Sequence, residues 1–173
     1  MKKIMLTGVV ASTLFASVAT VAGEVPIGES VIRNGMEIAA VYLQPITMEP
    51  QGLMRPASKS DVHLEADIHA VKGNKNGFGA GEWLPYLTVD YKLKNTDTGK
   101  IKSGTFMPMI ASDGTHYGQN IKMLGVGNYE LTFTIKPPVT SLMRHTDKET
   151  GVGKWFKTFD ANYKFKYLGM NTK

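Results

Sequence analysis

The chain has 173 residues, a net charge of +5 and no cysteine. This length suits one domain with a hydrophobic core. The absence of cysteine excludes a fold held by disulfide bonds and leaves methionine as the only soft metal ligand. The positive charge is dispersed and forms no basic run with interleaved aromatic residues, so the sequence predicts no nucleic-acid partner.

The first 23 residues have the pattern of a secretory signal peptide. Lys2 and Lys3 precede an apolar run over residues 4–21, and the run ends in the small residues Ala22 and Gly23. A membrane anchor is the alternative, but the run is rich in Ala, Ser and Thr and lacks a basic flank after it. We therefore expect a cleaved signal peptide over residues 1–23, a mature domain over residues 24–173 and a location in the periplasm.

The mature part is predicted to be all-β. Alternating apolar and polar residues predict strands over residues 37–43, 62–71, 87–93, 105–110, 129–135 and 161–167. Turn-forming residues separate them, and short strands at this spacing favour a single immunoglobulin-like β-sandwich. A closed barrel is the alternative. The glycine-rich residues 73–81 lack the ending of a phosphate-binding loop, so we interpret them as a surface connection, with a mobile lid over a site as the alternative.

The stretch over residues 61–71, DVHLEADIHAV, carries the most distinctive pattern. Apolar residues occupy one face of the predicted strand, and Asp61, His63, Glu65, Asp67 and His69 occupy the other. Nitrogen and oxygen donors in this arrangement suit a metal ion, and a solvated acidic face is the alternative. His63 and His69 lie about 20 Å apart on an extended strand and cannot share one ion. His63 and Glu65 can serve one site or two adjacent sites. His69 is then predicted on the surface, with a separate site as the alternative.

The other two histidines are predicted outside the strands. His116 is predicted in a turn at residues 112–118, and His145 in a loop at residues 143–151. Met107 and Met109 flank Pro108 at a predicted strand end. A thioether with imidazoles is a ligand set for copper, although pattern alone favours Met109 as a core residue. Neither Gly-x-Ser-x-Gly nor His-Glu-x-x-His occurs, so no catalytic site is predicted.

Four segments carry a resemblance to a known family. HLEADIHA (63–70), MPMIASDGTHYG (107–118), the strand at residues 127–135 and RHTDKETGVGKWF (144–156) occur in this order. Together they resemble the exported bacterial iron-transport proteins, also described as the pathogen-specific membrane antigen family, whose members bind copper. The similarity covers nearly the whole predicted mature chain.

The resemblance implies a specific site and assembly. Members of this family are periplasmic immunoglobulin-like sandwiches that form homodimers. By motif position, the copper ligands fall on His63, Met109, His116 and His145. Glu65 matches an acidic residue at a neighbouring or alternative metal position. The family works beside an inner-membrane iron permease and promotes iron uptake when iron is scarce.

We therefore expect a periplasmic copper-binding protein that promotes high-affinity iron uptake by binding iron and passing it to the permease. Glu65 and Asp67 offer oxygen donors for iron beside copper. The sequence leaves open whether copper is redox-active or structural. A copper-buffering or copper-delivery protein without an iron role is the alternative, and a surface antigen that binds no metal tightly is a further one. An enzyme such as a ferroxidase ranks last, because one copper with few ligands is poorly suited to multi-electron oxygen chemistry.

Overall fold

Two antiparallel sheets contain all ten strands of residues 23–170, the part of the chain that the computed structural model describes. The predicted signal peptide over residues 1–23 lies outside the described residues, apart from Gly23. In chain order the strands are β1 (Val25–Pro26), β2 (Val31–Arg33), β3 (Met36–Leu43), β4 (Val62–Ala70), β5 (Thr88–Asn95), β6 (Ile101–Thr105), β7 (Met107–Ala111), β8 (Gly114–Ile121), β9 (Gly127–Lys136) and β10 (Phe159–Tyr167). A 3-10 helix at Ala57–Lys59 lies between β3 and β4.

The two sheets differ in size. One has the strand order β1-β3-β4-β8-β7, with β2 also paired to β3, and the other has the order β10-β9-β5-β6. The core lies between them and is built from the alternate apolar residues of each strand. Its fully buried members include Ile38, Leu64 and Tyr117 from the larger sheet and Leu131 and Phe133 from the smaller one. The predicted all-β sandwich is therefore confirmed.

One predicted strand is in fact two. The sequence predicts a single strand over residues 105–110, but β6 ends at Thr105 in the smaller sheet and β7 begins at Met107 in the larger sheet. Phe106 occupies the crossing point, where it is buried and stacks on Tyr91 with ring centroids 5.0 Å apart. The prediction of one strand was wrong because the alternation of apolar residues continues through the point where the chain changes sheets.

A second difference concerns His116. The sequence predicts this residue in a turn, but the turn is confined to Ser112 and Asp113, and β8 begins at Gly114. The prediction was wrong because Asp-Gly is a strong turn signal, and the predicted turn was continued to residue 118 although the strand resumes at the glycine. His116 is consequently a strand residue that pairs with Met109 of β7.

The outer face of the larger sheet is partly covered. Residues 44–60, which we call the 44–60 segment, connect β3 to β4 and bond to Asn120 of β8 through Ile46 and Arg55. Polar residues of β4 and β8 are therefore buried on a face that an antiparallel sandwich commonly exposes to water.

None of the helices in residues 23–170 is both long and apolar enough to cross a membrane.

Candidate metal centre

Strands β4 and β8 bring three potential metal ligands together. Glu65 pairs with Gly118 in the register of these strands, so the side chains of His63, Glu65 and His116 project from the same outer face. Each residue offers a donor atom, and the three atoms lie within 4.8 Å of one another. Glu65 Oε1 is 3.4 Å from His63 Nε2 and 3.3 Å from His116 Nε2. All three side chains are buried.

Burial sets the protonation of this cluster. Loss of hydration lowers the pKa of His63 to about 4, with a smaller effect from the neighbouring His116, and also lowers the pKa of His116. Burial raises the pKa of Glu65 to about 8, helped by the nearby carboxylates of Asp67, Glu24 and Asp113. At neutral pH the two imidazoles are therefore neutral and the Glu65 carboxyl retains its proton. The short distances join neutral groups, and they are not salt bridges.

The two imidazole nitrogens that face the cluster lack hydrogen-bond partners. His63 Nε2 and His116 Nε2 are buried, and no described residue donates to or accepts from either atom. Leaving a buried polar atom unpaired costs about 1–3 kcal/mol. Two such atoms aimed at one carboxyl group are unusual in a purely structural cluster, and they are typical of ligands that meet a metal ion.

Gly118 leaves space beside the His63 ring of the cluster. A Cβ atom at this position would lie 2.6 Å from His63 Nε2 and 3.2 Å from the carbonyl oxygen of Leu64. The missing side chain is therefore what allows the His63 ring to occupy its position. The two imidazoles, the carboxylate and this space suit a first-row transition metal such as copper.

Met109 lies on the same face as the cluster. It is buried on β7 and pairs directly with His116 of β8, so the two side chains project side by side from the sheet. Met109 thus belongs to the outer face of the sandwich and is absent from the apolar core between the sheets. This position is compatible with a thioether ligand beside His116.

His145 lies apart from the cluster. It occupies the connection between β9 and β10, as the sequence predicts, and its side chain is 73% exposed. Its Nδ1 atom is 2.7 Å from the hydroxyl oxygen of Thr150 and 3.9 Å from Asp147 Oδ2. His69 is also outside the group of three, although it is half-buried.

An acidic pocket adjoins the cluster. It encloses about 210 Å³ and shares Glu65 and His116 with the metal centre. Its other acidic members are Glu24, Asp67 and Asp113. Burial raises the pKa of Asp67 to about 7, and the negative charges of Glu24 and Asp113 add to the effect. A pocket that disfavours its own carboxylate charges gains from binding a cation.

Sequence reasoning did not find Gly118, Asn120, Glu24 or Asp113. Two of them follow from the period of a strand, because residues 116, 118 and 120 share one face once β8 is recognised. Glu24 and Asp113 lie at a strand end and in a turn, and only the fold brings them to the acidic pocket.

The sequence has relatives among known proteins. The Fe2+ transport protein family matches residues 21–169. A UPF0423 protein of Brucella abortus (strain 2308) is 56% identical over 156 residues, which cover 88% of this chain and 86% of the relative. The 34 kDa membrane antigen of Treponema pallidum (strain Nichols) is 39% identical over 137 residues, which cover 77% of this chain and 67% of the antigen.

Solved structures of similar proteins share the fold. FetP of uropathogenic Escherichia coli has 66% sequence identity and a TM-score of 0.84, covering 87% of this chain and 99% of FetP. The copper-reconstituted P19 protein of Campylobacter jejuni has 62% identity and a TM-score of 0.85, covering 87% of this chain and 100% of P19. The family match, the identities and the shared fold lead to one conclusion: the chain belongs to the Fe2+ transport protein family.

Proposed function

We propose that this protein is a periplasmic copper-binding protein that promotes iron uptake by binding iron and passing it to an inner-membrane iron permease. The observation that carries the proposal is the buried cluster of His63, Glu65 and His116, with two imidazole nitrogens that have no other partner among the described residues. Copper-bound structures of the similar proteins FetP and P19 support copper as the metal.

In the proposed copper site, His63 and His116 bind through Nε2, and Glu65 binds after losing its proton. Met109 supplies a thioether from its place opposite His116. Bound copper would supply a one-electron redox couple, because imidazole and thioether ligands together can hold copper in both of its oxidation states. The neutral imidazoles need lose no proton before they bind, because the pKa of His63 lies near 4.

We propose that His145 completes the site from a second copy of the chain. Within one copy it stands outside the cluster and is largely exposed. The segment that carries it also exposes two apolar side chains, Val139 (64% exposed) and Met143 (93% exposed). The family resemblance implies a homodimer, and the exposed position of His145 and its apolar neighbours is compatible with a dimer in which each His145 reaches the partner's cluster.

We propose that iron binds in the acidic pocket beside the copper ligands. Glu24, Asp67 and Asp113 supply oxygen donors, which suit ferrous iron better than they suit cuprous copper. Glu65 lines both places, so the two metals would lie next to each other. In this function the protein binds iron and transfers it, and no residue has a catalytic role.

Copper titration tests the copper site. Calorimetry on the exported protein is expected to show tight binding that is lost in His116→Ala and kept in Asn162→Ala, because Asn162 is an exposed residue of β10 in the opposite sheet. Equal affinities in wild type and His116→Ala would contradict the assignment.

Iron uptake separates the proposal from a copper-buffering role. Cells grown under iron chelation are supplied with radioactive iron and carry wild type, Asp67→Asn or Asp160→Asn. Asp160 is an exposed residue of the opposite sheet and serves as the matched control. We expect reduced uptake for Asp67→Asn alone, with copper affinity retained. Iron uptake that is unchanged in Asp67→Asn would contradict the proposal. If cells that lack the gene were also sensitive to excess copper, copper buffering would be favoured.

A further inference from the structure

Asn120 is a buried polar residue that contacts the metal centre without contributing to it directly. It lies on β8, four residues after His116, and is 2% exposed. Its Oδ1 atom is 3.0 Å from His63 Nδ1, on the side of the imidazole ring that faces away from the cluster. The role of this residue depends on which atom of the pair carries the proton.

The surrounding backbone fixes the orientation of the Asn120 amide. Nδ2 donates to the carbonyl oxygens of Ile46 at 2.8 Å and Arg55 at 3.0 Å, and a carbonyl oxygen can only accept. Oδ1 accepts from the backbone N–H of Ile46 at 3.2 Å, and an N–H can only donate. Exchanging the two amide atoms would break all three bonds, so Oδ1 must face His63.

The fixed amide determines the tautomer of His63. Oδ1 can only accept, so the proton of the neutral ring must be on Nδ1. Nε2 then carries a lone pair and points at Glu65 and His116. In the other tautomer Nε2 would present a hydrogen atom to the cluster and could not bind a metal.

We propose that Asn120 is the positioning residue of the metal centre, which holds His63 in the tautomer that binds copper, and that the 44–60 segment enforces this by locking the amide. The effect on copper affinity rests on the proposed copper function, whereas the tautomer of His63 can be observed in the metal-free protein. Outer partners of this kind commonly change metal affinity by about 10- to 100-fold when they are removed.

The chain provides a matched control in Asn95. This asparagine is also fully buried, and its Oδ1 accepts from the backbone N–H groups of Asp97 and Thr98. Its Nδ2 faces the carbonyl oxygens of Leu124 and Val126. Asn95→Ala therefore removes a similar set of bonds between a strand and a loop, but in the other sheet and away from the cluster.

Nitrogen NMR of the histidine rings tests the inference directly. Long-range proton–nitrogen spectra of the metal-free full chain are expected to show His63 with its proton on Nδ1 in wild type and Asn95→Ala. Asn120→Ala should lose this preference. Asn120→Asp should keep it in part, because a carboxylate oxygen still accepts from Nδ1 although the bonds to the carbonyl oxygens of Ile46 and Arg55 are lost. Copper titration should show an affinity about 10- to 100-fold weaker for Asn120→Ala, near wild type for Asn95→Ala and partly restored for Asn120→Asp.

Each outcome is decisive. A wild-type His63 protonated on Nε2 would overturn the inference, even if Asn120→Ala failed to fold. The same holds if Asn120→Ala folded with the wild-type tautomer and copper affinity. A wild-type protein that carries the His63 proton on Nδ1 but does not bind copper would instead contradict the proposed function and leave the assignment of the tautomer intact.

Discussion

Replacing Gly118 with alanine is the smallest change that places an atom inside the proposed metal centre. The new Cβ would lie 2.6 Å from His63 Nε2, whereas ordinary contacts begin near 3.4 Å, so the ring must retreat by about 0.8 Å. Its retreat is opposed by the 3.0 Å contact between Nδ1 and Asn120. A ring that retreats carries Nε2 with it, and Nε2 is the atom that faces Glu65 and His116.

The expected size of the effect follows from this crowding. Overpacking a buried site costs about 1–3 kcal/mol, and the lower entropy of an unfolded alanine chain offsets about 0.4–1 kcal/mol of it. We therefore expect Gly118→Ala to lower the free energy of unfolding of the metal-free protein by about 1–2 kcal/mol. Copper affinity should fall at least tenfold, because the methyl group displaces His63 Nε2 from the position in which it faces Glu65 and His116.

Urea denaturation of the metal-free protein and calorimetric copper titration measure the two effects. Gly79→Ala is the matched control, since the atoms nearest to its Cβ would all belong to the Glu82 side chain, the closest at an ordinary 3.4 Å. The control should bind copper like wild type and unfold at a similar or slightly higher urea concentration. Wild-type copper affinity in Gly118→Ala would refute the reasoning that copper binding depends on the position of the His63 ring beside Gly118.

Three further predictions concern charge and assembly. Because the folded pKa of Glu65 is about 8, copper binding at pH 7 should release about one proton that Glu65→Gln does not release; equal proton release, measured by calorimetry in buffers of different ionisation enthalpy, would remove Glu65 from the site. The stability of the metal-free protein should fall as pH rises from 6.5 to 8, because the folded protein keeps protons on Glu65 and Asp67 that the unfolded chain has lost; each such proton contributes a slope of about 1.4 kcal/mol per pH unit, and Glu65→Gln should flatten the curve measured by urea denaturation. His145→Ala should weaken copper binding and leave the unfolding of the metal-free protein unchanged, since its side chain is exposed; equal copper affinity would exclude His145 as a ligand.

The sequence predicts the strands of the metal centre unevenly. The alternation in β4 correctly places His63 and Glu65 on one face and the core residues on the other. It does not predict that this face is buried, because at Asn120, the partner of His63, the cover comes from the 44–60 segment, which shows no periodic pattern. Local alternation determines which face a side chain occupies, whereas a distant segment determines whether water reaches it.

The remaining site residues show the same division. Met109 has the pattern of a core residue, and it is indeed buried, but on the outer face opposite His116. The local sequence does not distinguish a core position from a buried position on the outer face, because the chain changes sheets at Phe106 without interrupting the alternation of apolar residues. His145 was correctly predicted in a loop, and its assignment as a copper ligand remains a prediction from family resemblance.

The account depends most on where copper binds, and anomalous scattering at the copper absorption edge locates it directly. Crystals of the copper-loaded protein are predicted to show an anomalous peak bounded by His63 Nε2, the Glu65 carboxylate and His116 Nε2, next to Gly118. A peak confined to the acidic pocket or to His69, with none between the two buried imidazoles, would contradict the account.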